Sequence, residues 1–202
     1  PQEKQELEKR YTSAQSHLAS NGLTTEGINL ENAIKTNGKA VLNTQFHFLI
    51  EWLVENKAAY ESYRRQVFTG ARMKARFEND GNRSKADSIL FGSEINIIYA
   101  ALSVDESGVM SYGDVTVVLN TGSVEKRSSA LERNSFPFID DATAKGWTWK
   151  QPLPCGFMAV WPDFFKLSLS KLYLHLHSGI SFSQLAKLVL DSAGTRAGDE
   201  FI

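Results

Sequence analysis

The chain has 202 residues, of which 42% are hydrophobic and 22% are charged, which is typical of a folded domain with its own apolar core. Its 22 cations nearly balance its 23 anions, so the net charge of -1 argues against a dedicated binder of nucleic acid or of anionic membranes. The single cysteine, Cys155, excludes an intramolecular disulfide and a multi-thiolate metal site, and we interpret it as a structural thiol. No apolar run approaches the ~18 residues of a membrane-spanning helix.

The first third of the chain predicts helices. Between Pro1 and Gly22, apolar side chains recur at helical spacings of three and four residues, at Leu7, Tyr11, Ala14 and Leu18. Asn21-Gly22 is expected to end this helix. A second helix is expected to begin at a cap on Thr24 or Thr25 and to end at Asn37-Gly38. Its apolar positions are Ile28, Leu30 and Ile34.

The longest predicted helix begins at Asn43 or Thr44 and ends near Gln66. Its apolar positions form one wide face, made of Phe46, Leu49, Ile50, Leu53, Val54 and Tyr60. His47 lies within it, where we expect a packed or surface side chain and not a metal ligand. Residues 1–65 are therefore predicted to form a helical extension or subdomain.

After Gln66 the sequence pattern changes to short runs rich in Val, Ile and Phe, which predict strands. These runs are QVFTG (66–70), DSILFG (87–92), INIIYAAL (95–102), DVTVVLN (114–120) and CGFMAVW (155–161). Two helices are expected next, one after Pro162 that ends at Ser178-Gly179, and one capped by Ser181 with Leu185, Leu188 and Val189 facing inward. A last strand is predicted at GDEFI (198–202). The order of these elements predicts an α+β fold.

Common catalytic and binding motifs are absent from the sequence. It contains no GxxxxGK[ST], GxGxxG, HExxH or CxxC motif, which argues against the usual phosphate-loop, dinucleotide and zinc sites. His175 and His177 are two residues apart, so on a helix their side chains point about 200° away from each other and do not form a metal site. The serines between Ser128 and Ser135 have no histidine near them in sequence to act as a base.

Four segments, in this order, resemble the diphtheria-toxin and poly(ADP-ribose) polymerase class of ADP-ribosyltransferases. VFTGAR (67–72) is similar to the strand whose glycine holds the nicotinamide carboxamide through its backbone. LFGSEINIIYAALS (90–103) is similar to the segment that supplies a tyrosine to stack on the nicotinamide ring. GVMSYGDVTVVLN (108–120) resembles the strand that follows, and DEFI (199–202) resembles the strand with the catalytic glutamate. The resemblance covers about 67–120 and the last few residues.

The resemblance implies a role for individual residues toward NAD. Glu200 would be catalytic, Tyr99 would stack on the nicotinamide, and Gly70 would bind its carboxamide. Ser107 would also bond the carboxamide, and Arg72, Arg76, Arg83 or Lys85 would meet the pyrophosphate or the adenosine ribose. Thr69 stands where the family keeps a histidine that bonds the adenosine ribose. The shorter hydroxyl can make one such bond, so we expect altered NAD contacts.

These residue types suit the chemistry of NAD cleavage. Breaking the N-glycosidic bond passes through an oxocarbenium-like ribose, and a carboxylate such as that of Glu200 stabilises the developing positive charge. A flat tyrosine ring fixes the angle of the leaving nicotinamide. A glycine without a Cβ lets the carboxamide approach the backbone closely.

The resemblance implies an ADP-ribosyltransferase-like split β-sheet core in residues 66–202, behind the helical extension of residues 1–65. We expect an enzyme that transfers ADP-ribose from NAD to a protein, as a secreted bacterial effector or toxin acting in the host cytoplasm; a cytoplasmic protein is the alternative. The expected partners are NAD and a protein substrate, without nucleic acid, membrane or metal.

A surface for the protein substrate is expected on the helical extension and on the loop from Gly122 to Pro154, with Phe136, Trp147 and Trp149 exposed. The alternative for these aromatic residues is a second small core. Two other functions stay open for the chain as a whole. One is a catalytically silent module of the same fold that binds a protein, which Thr69 favours. The other is an unrelated α+β interaction domain in which the four matches arise by chance.

Overall fold

A computed structural model describes residues 1–50, 53, 62–70, 87–92, 97–148, 151 and 153–192. Its α-helices are α1 (Gln2–Ser20), α2 (Thr24–Asn37), α3 (Phe46–Ile50), α4 (Tyr63–Phe68), α5 (87–91), α6 (Thr121–Val124), α7 (Ser135–Ala144), α8 (Phe164–Leu172) and α9 (Phe182–Asp191). Its strands are β1 (Lys39–Thr44), β2 (Ala101–Ser103), β3 (Val115–Val118), β4 (Ser129–Leu131) and β5 (Met158–Val160). Short 3-10 turns lie at Met110–Tyr112, Glu125–Arg127, Trp161–Asp163 and Tyr173–His175.

The strands form two small antiparallel sheets, so the α+β class is confirmed. In the three-stranded sheet β1 lies between β2 and β3, with Val41 opposite both Ala101 and Val118. β4 and β5 form the second sheet, with Ala130 opposite Ala159. The central position of β1 agrees with the burial of Val41 and Leu42. Because β1 pairs with a strand on each edge, its backbone N–H and carbonyl groups bond to those strands and not to water.

The main hydrophobic core lies among α1, α2, α8 and α9. Leu18, Leu30 and Leu169, one from each of α1, α2 and α8, are at most 2% exposed. Gly27 of α2 lets these helices approach, since a Cβ there would lie 2.7 Å from Cδ1 of Leu18. The four apolar positions predicted for the first helix are all buried in this core, as are those predicted for the last helix.

A second, smaller core surrounds α7. Phe138, Ile139, Ala142 and Trp147 are buried in it, and Leu90, Leu131, Leu153 and Phe157 pack against them. The two cores meet at β5 and the residue before it. Ala159 of β5 belongs to the main core, and the ring of Phe157, just before β5, lies 5.6 Å from that of Phe138.

Helix α1 also contacts the β5 segment through polar groups. The backbone N–H of Met158 donates to the Glu3 carboxylate at 2.6 Å, and Nη1 of Arg10 donates to the carbonyl of Gly156 at 2.5 Å. A Cβ on Gly156 would lie 3.0 Å from the backbone carbon of Glu6. The backbone of α1 therefore lies directly against this turn.

One long helix was predicted from Asn43 or Thr44 to near Gln66. This prediction is wrong for the residues where the helix was expected to start, and again at Ser62, a few residues before its expected end. Asn43 and Thr44 belong to β1, because Val41, Leu42 and Thr44 are buried between two partner strands. Helix α3 begins only at Phe46, and Ser62 is extended and caps a separate helix, α4. Phe46 is 58% exposed and Leu53 is 68% exposed, so these two positions of the predicted apolar face do not enter a core.

Two segments predicted as strands are helices. Residues 66–70 lie at the end of α4, where Thr69 is the C-cap and Gly70 has φ +77. Residues 87–91 form α5, which Gly92 ends in the same left-handed conformation. A glycine that ends a helix and one that ends a strand look alike in sequence, which explains both errors. The caps predicted on Thr24 or Thr25 are also wrong, because the N-cap of α2 is Leu23, and Ile28 is 51% exposed.

Other predicted elements are confirmed in full or in part. β3 and β5 lie inside predicted strands, whereas β2 begins only at Ala101, near the end of the predicted strand 95–102, and extends to Ser103. Pro162 lies in the turn before α8 as predicted, but α8 ends at Leu172, before the predicted end at Ser178-Gly179. Ser181 caps α9 in a capping box with Gln184. The last predicted strand, 198–202, lies outside the described residues, and the division into units of 1–65 and 66–202 stays a prediction. None of the helices in the described ranges has the length and hydrophobicity needed to cross a bilayer.

Gly156 and Gly146 offer a test of the contact between α1 and β5. Both have φ +90, but a Cβ on Gly146 would meet nothing within 4 Å. Gly146→Ala is expected to cost about 1–2 kcal/mol from backbone strain alone. Gly156→Ala is expected to cost at least ~1 kcal/mol more, because its methyl group displaces α1. Urea unfolding measures both, and equal losses would contradict the packing.

Candidate functional site

Tyr99 lies in an irregular segment, 97–100, just before β2. Its hydroxyl donates a short hydrogen bond to Oδ1 of Asp87 and lies 3.3 Å from Oγ of Ser135. Ser135 also donates to the same Asp87 oxygen, at 2.5 Å. Asp87 and Ser135 are each 4% exposed, whereas Tyr99 is 48% exposed. We call these three residues the Tyr99 cluster.

Two helices hold the buried members of the Tyr99 cluster. Asp87 is the first residue of α5, and Ser135 is the first residue of α7. Leu90 of α5 and Phe138 of α7 meet in the second core, so the same core positions both polar side chains. The Asp87 carboxylate also lies at the amino end of α7, where the helix dipole favours a negative charge. Tyr99 was identified from the sequence, but Asp87 and Ser135 were not.

Gly70 and Thr69 lie together at the exposed end of α4. The N–H of Gly70 donates to the carbonyl of Val67 at 3.2 Å, and the hydroxyl of Thr69 donates to the carbonyl of Arg65 at 3.0 Å. Both donors therefore complete the last turn of α4. The predicted carboxamide contact of Gly70 would need its N–H, which here bonds to the helix.

Ser107 is an exposed turn residue after β2. Its N–H donates to Oδ1 of Asp105 at 3.0 Å, and the hydroxyl of Ser103 donates to the same oxygen. Burial works to raise the pKa of Asp105, but the hydrogen bonds from Ser107 and Ser103 prevail and lower it. The Asp105 carboxylate therefore stays charged and fixes this turn.

The remaining predicted site residues lie outside the described residues. They are Glu200, Arg72, Arg76, Arg83 and Lys85. Their position relative to Tyr99 stays a prediction. Within the described ranges, no group of three His, Cys, Asp or Glu side chains is placed to hold a metal ion.

The predicted docking surface on the loop from Gly122 to Pro154 needs a correction. This segment contains α6, β4 and α7, and Trp147 is buried in the second core, so the alternative of a second small core is correct for that residue. The side chain of Phe136 and all of Trp149 lie outside what the structure describes. An exposed aromatic surface lies instead beside α3.

That surface is an open depression of about 680 Å³ between the start of α3 and the turn at 110–114. Its exposed apolar side chains are Phe46, Met110 and Tyr112. Asn43 holds the turn by donating to the carbonyl of Gly113 at 3.2 Å, and the N–H of Phe46 donates to Asp114 at 3.1 Å. Sequence reasoning missed the depression because it placed Phe46 on a buried helix face.

A cluster of charged side chains surrounds Lys171 of α8. Its ammonium group donates to the carbonyls of Glu132 and Ser192, each at 2.6 Å. Glu132 also forms an ion pair with Arg10, whose Nη1 lies 2.5 Å from its Oε2 without the alignment of a hydrogen bond. Burial lowers the pKa of Lys171 to about 8; Glu132 opposes this effect, and Arg133 adds to it.

Cys155 fits the structural role predicted for it. Burial raises the pKa of its thiol, and the Glu3 carboxylate raises it further. A raised pKa disfavours the thiolate, which is the nucleophilic form. Its Sγ lies 3.7 Å from the carbonyl of Leu153.

Comparisons of the chain with protein-family models, with curated proteins and with solved structures gave no match. The likeness to ADP-ribosyltransferases therefore depends on the four quoted segments alone.

Lys171 gives the molecule a pH-dependent stability. Because its pKa is lowered from 10.5 to about 8 on folding, the unfolded chain binds more protons between these values, and stability rises with pH across that window. The free energy of unfolding, relative to that of Lys171→Met, is expected to grow by about 2–3 kcal/mol from pH 7 to pH 10. Urea unfolding of the two proteins at both pH values measures this difference.

Lys187→Met, which changes an exposed lysine, serves as the control and should show a difference from wild type that hardly depends on pH. A flat difference for Lys171→Met would contradict the burial of its ammonium group.

Proposed function

We propose that the chain is an NAD-dependent mono-ADP-ribosyltransferase that modifies a protein acceptor, built on a split sheet of the ADP-ribosyltransferase type. The sequence support is the order of the four segments, which contain Gly70, Tyr99 and Glu200, together with Ser107 eight positions after Tyr99. The structural observation that carries the proposal is the presentation of Tyr99. Its hydroxyl is bonded to buried groups while about half of the residue is accessible, which suits a ring that stacks on a flat ligand.

The proposed reaction breaks the bond between nicotinamide and the anomeric carbon of the ribose, and nicotinamide leaves with the bonding electron pair. A nucleophilic side chain of the acceptor protein then bonds to that carbon, and its proton passes to the Glu200 carboxylate. Glu200 also stabilises the positive charge on the ribose. Arg72 is assigned to the NAD pyrophosphate or adenosine ribose. We further propose a secreted effector or toxin that acts in the host cytoplasm.

A catalytically silent protein-binding module is the second candidate, and one observation favours it. The N–H of Gly70, which the nicotinamide carboxamide would need, completes α4 by bonding to Val67. The enzymatic proposal therefore requires the end of α4 to open when NAD binds. The silent module requires no such change.

Glu200→Gln tests the enzymatic proposal. Wild type incubated with NAD carrying a labelled adenosine should release nicotinamide and label protein in a cell lysate. Because the variant loses the charge that stabilises the ribose cation, its rate should fall at least about 100-fold. The control is Glu125→Gln, which changes a carboxylate in the turn after α6 and should keep the wild-type rate. Absence of nicotinamide release by wild type would refute the transferase and favour the silent module.

Gly70→Ala separates a ligand-binding glycine from a helix-ending one. Gly70 and Gly92 both end short helices with φ near +70, and a Cβ on either would meet nothing within 4 Å. Each substitution to alanine is expected to cost about 1–2 kcal/mol of stability, measured by urea unfolding. If Gly70 holds the carboxamide, only Gly70→Ala should also abolish NAD-dependent thermal stabilisation, which is about 2.7 kcal/mol at a hundredfold excess over Kd. Equal NAD responses of the two variants would remove Gly70 from the site.

A further inference from the structure

We infer that Asp87 and Ser135 are positioning residues that hold the Tyr99 ring in a fixed orientation for a planar ligand. The inference rests on the proposed function, because nicotinamide is the planar group that the proposed reaction supplies. It concerns residues that lie outside the four segments resembling the ADP-ribosyltransferases, apart from Tyr99 itself.

The orientation of Tyr99 is opposite to the usual one. A tyrosine at a protein surface normally buries its ring and keeps its hydroxyl in water. Here the hydroxyl bonds to Asp87 and Ser135, each 4% exposed, while Tyr99 as a whole is 48% exposed. The polar end is anchored while about half of the residue stays accessible, an arrangement that suits stacking.

The anchor allows little rotation of the ring. Tyr99 and Ser135 donate to the same oxygen of Asp87, so loss of either donor changes the position of the other. The ring of Tyr99 also packs nearly perpendicular to that of Phe91, with centroids 6.4 Å apart and planes at 77°. Because Asp87 and Ser135 begin two helices that meet in the second core, the ring is held from inside the fold.

Steady-state kinetics of NAD cleavage tests this role. Tyr99→Phe keeps the ring and removes its anchor, and Ser135→Ala and Asp87→Ala remove the partners. Each should raise KM for NAD about three- to tenfold, the effect of one lost hydrogen bond, with kcat within about twofold of wild type. Asp87→Asn retains the accepting oxygen and should restore KM to within about twofold of wild type. Tyr173→Phe removes the hydroxyl of a tyrosine that packs against the main core and the ring of His17, and should leave both constants unchanged.

The outcomes separate the inference from the function it rests on. Wild-type cleavage with an unchanged KM in Tyr99→Phe would overturn the positioning role and leave the transferase intact. Failure of Asp87→Asn to restore KM would also overturn it. No cleavage by wild type would overturn the proposed function, and the inference with it. Tyr99→Phe alters one exposed residue, so it keeps the test decisive even if the Asp87 variants do not fold.

Discussion

The reach of Arg10 from α1 to the β4–β5 sheet is the constraint on which the arrangement of the two cores depends. Its guanidinium bonds to the carbonyl of Gly156, pairs with Glu132 and lies 4.2 Å from the centre of the Phe157 ring. These contacts join the main core, to which α1 belongs, to the second core around α7. Since Ser135 lies in α7, the position of the Tyr99 cluster relative to α1 and the main core also depends on these contacts of Arg10.

Sequence patterns predicted correctly those elements in which the local preference for helix or strand agrees with the packing and pairing that the rest of the fold imposes. The first helix and α9 each show apolar side chains at helical spacing with clear end signals, and in both helices every apolar position predicted to face inward is buried. The strand β1 was missed because Val41 and Leu42 stand next to a run that also suits a helix, and only pairing with β2 and β3 decides between the two. Gly70 and Gly92 each indicated where an element ends, but not whether that element is a helix or a strand.

The candidate site was predictable only in part. Tyr99 was identified from the resemblance of residues 90–103 to the nicotinamide-stacking segment of the ADP-ribosyltransferases, and the structure places it at an accessible position. Asp87 and Ser135 lie 12 and 36 positions from it along the chain, so nothing local connects them to Tyr99. A polar side chain buried by tertiary packing becomes recognisable only when its partner is placed. Phe46 is the opposite case. It was predicted on a buried helix face, but it is exposed because β1 continues to Thr44 and α3 begins only after it.

The contact of Glu3 with Met158 has a consequence for self-association. A two-stranded sheet has two free edges, and each displays N–H and carbonyl groups to which a strand of another molecule can bond. Along β5, the N–H of Met158 bonds to Glu3 and the preceding carbonyl of Gly156 bonds to Arg10. Side chains of helix α1 thus occupy the start of this edge, which hinders a strand of a neighbouring chain from pairing with β5 there.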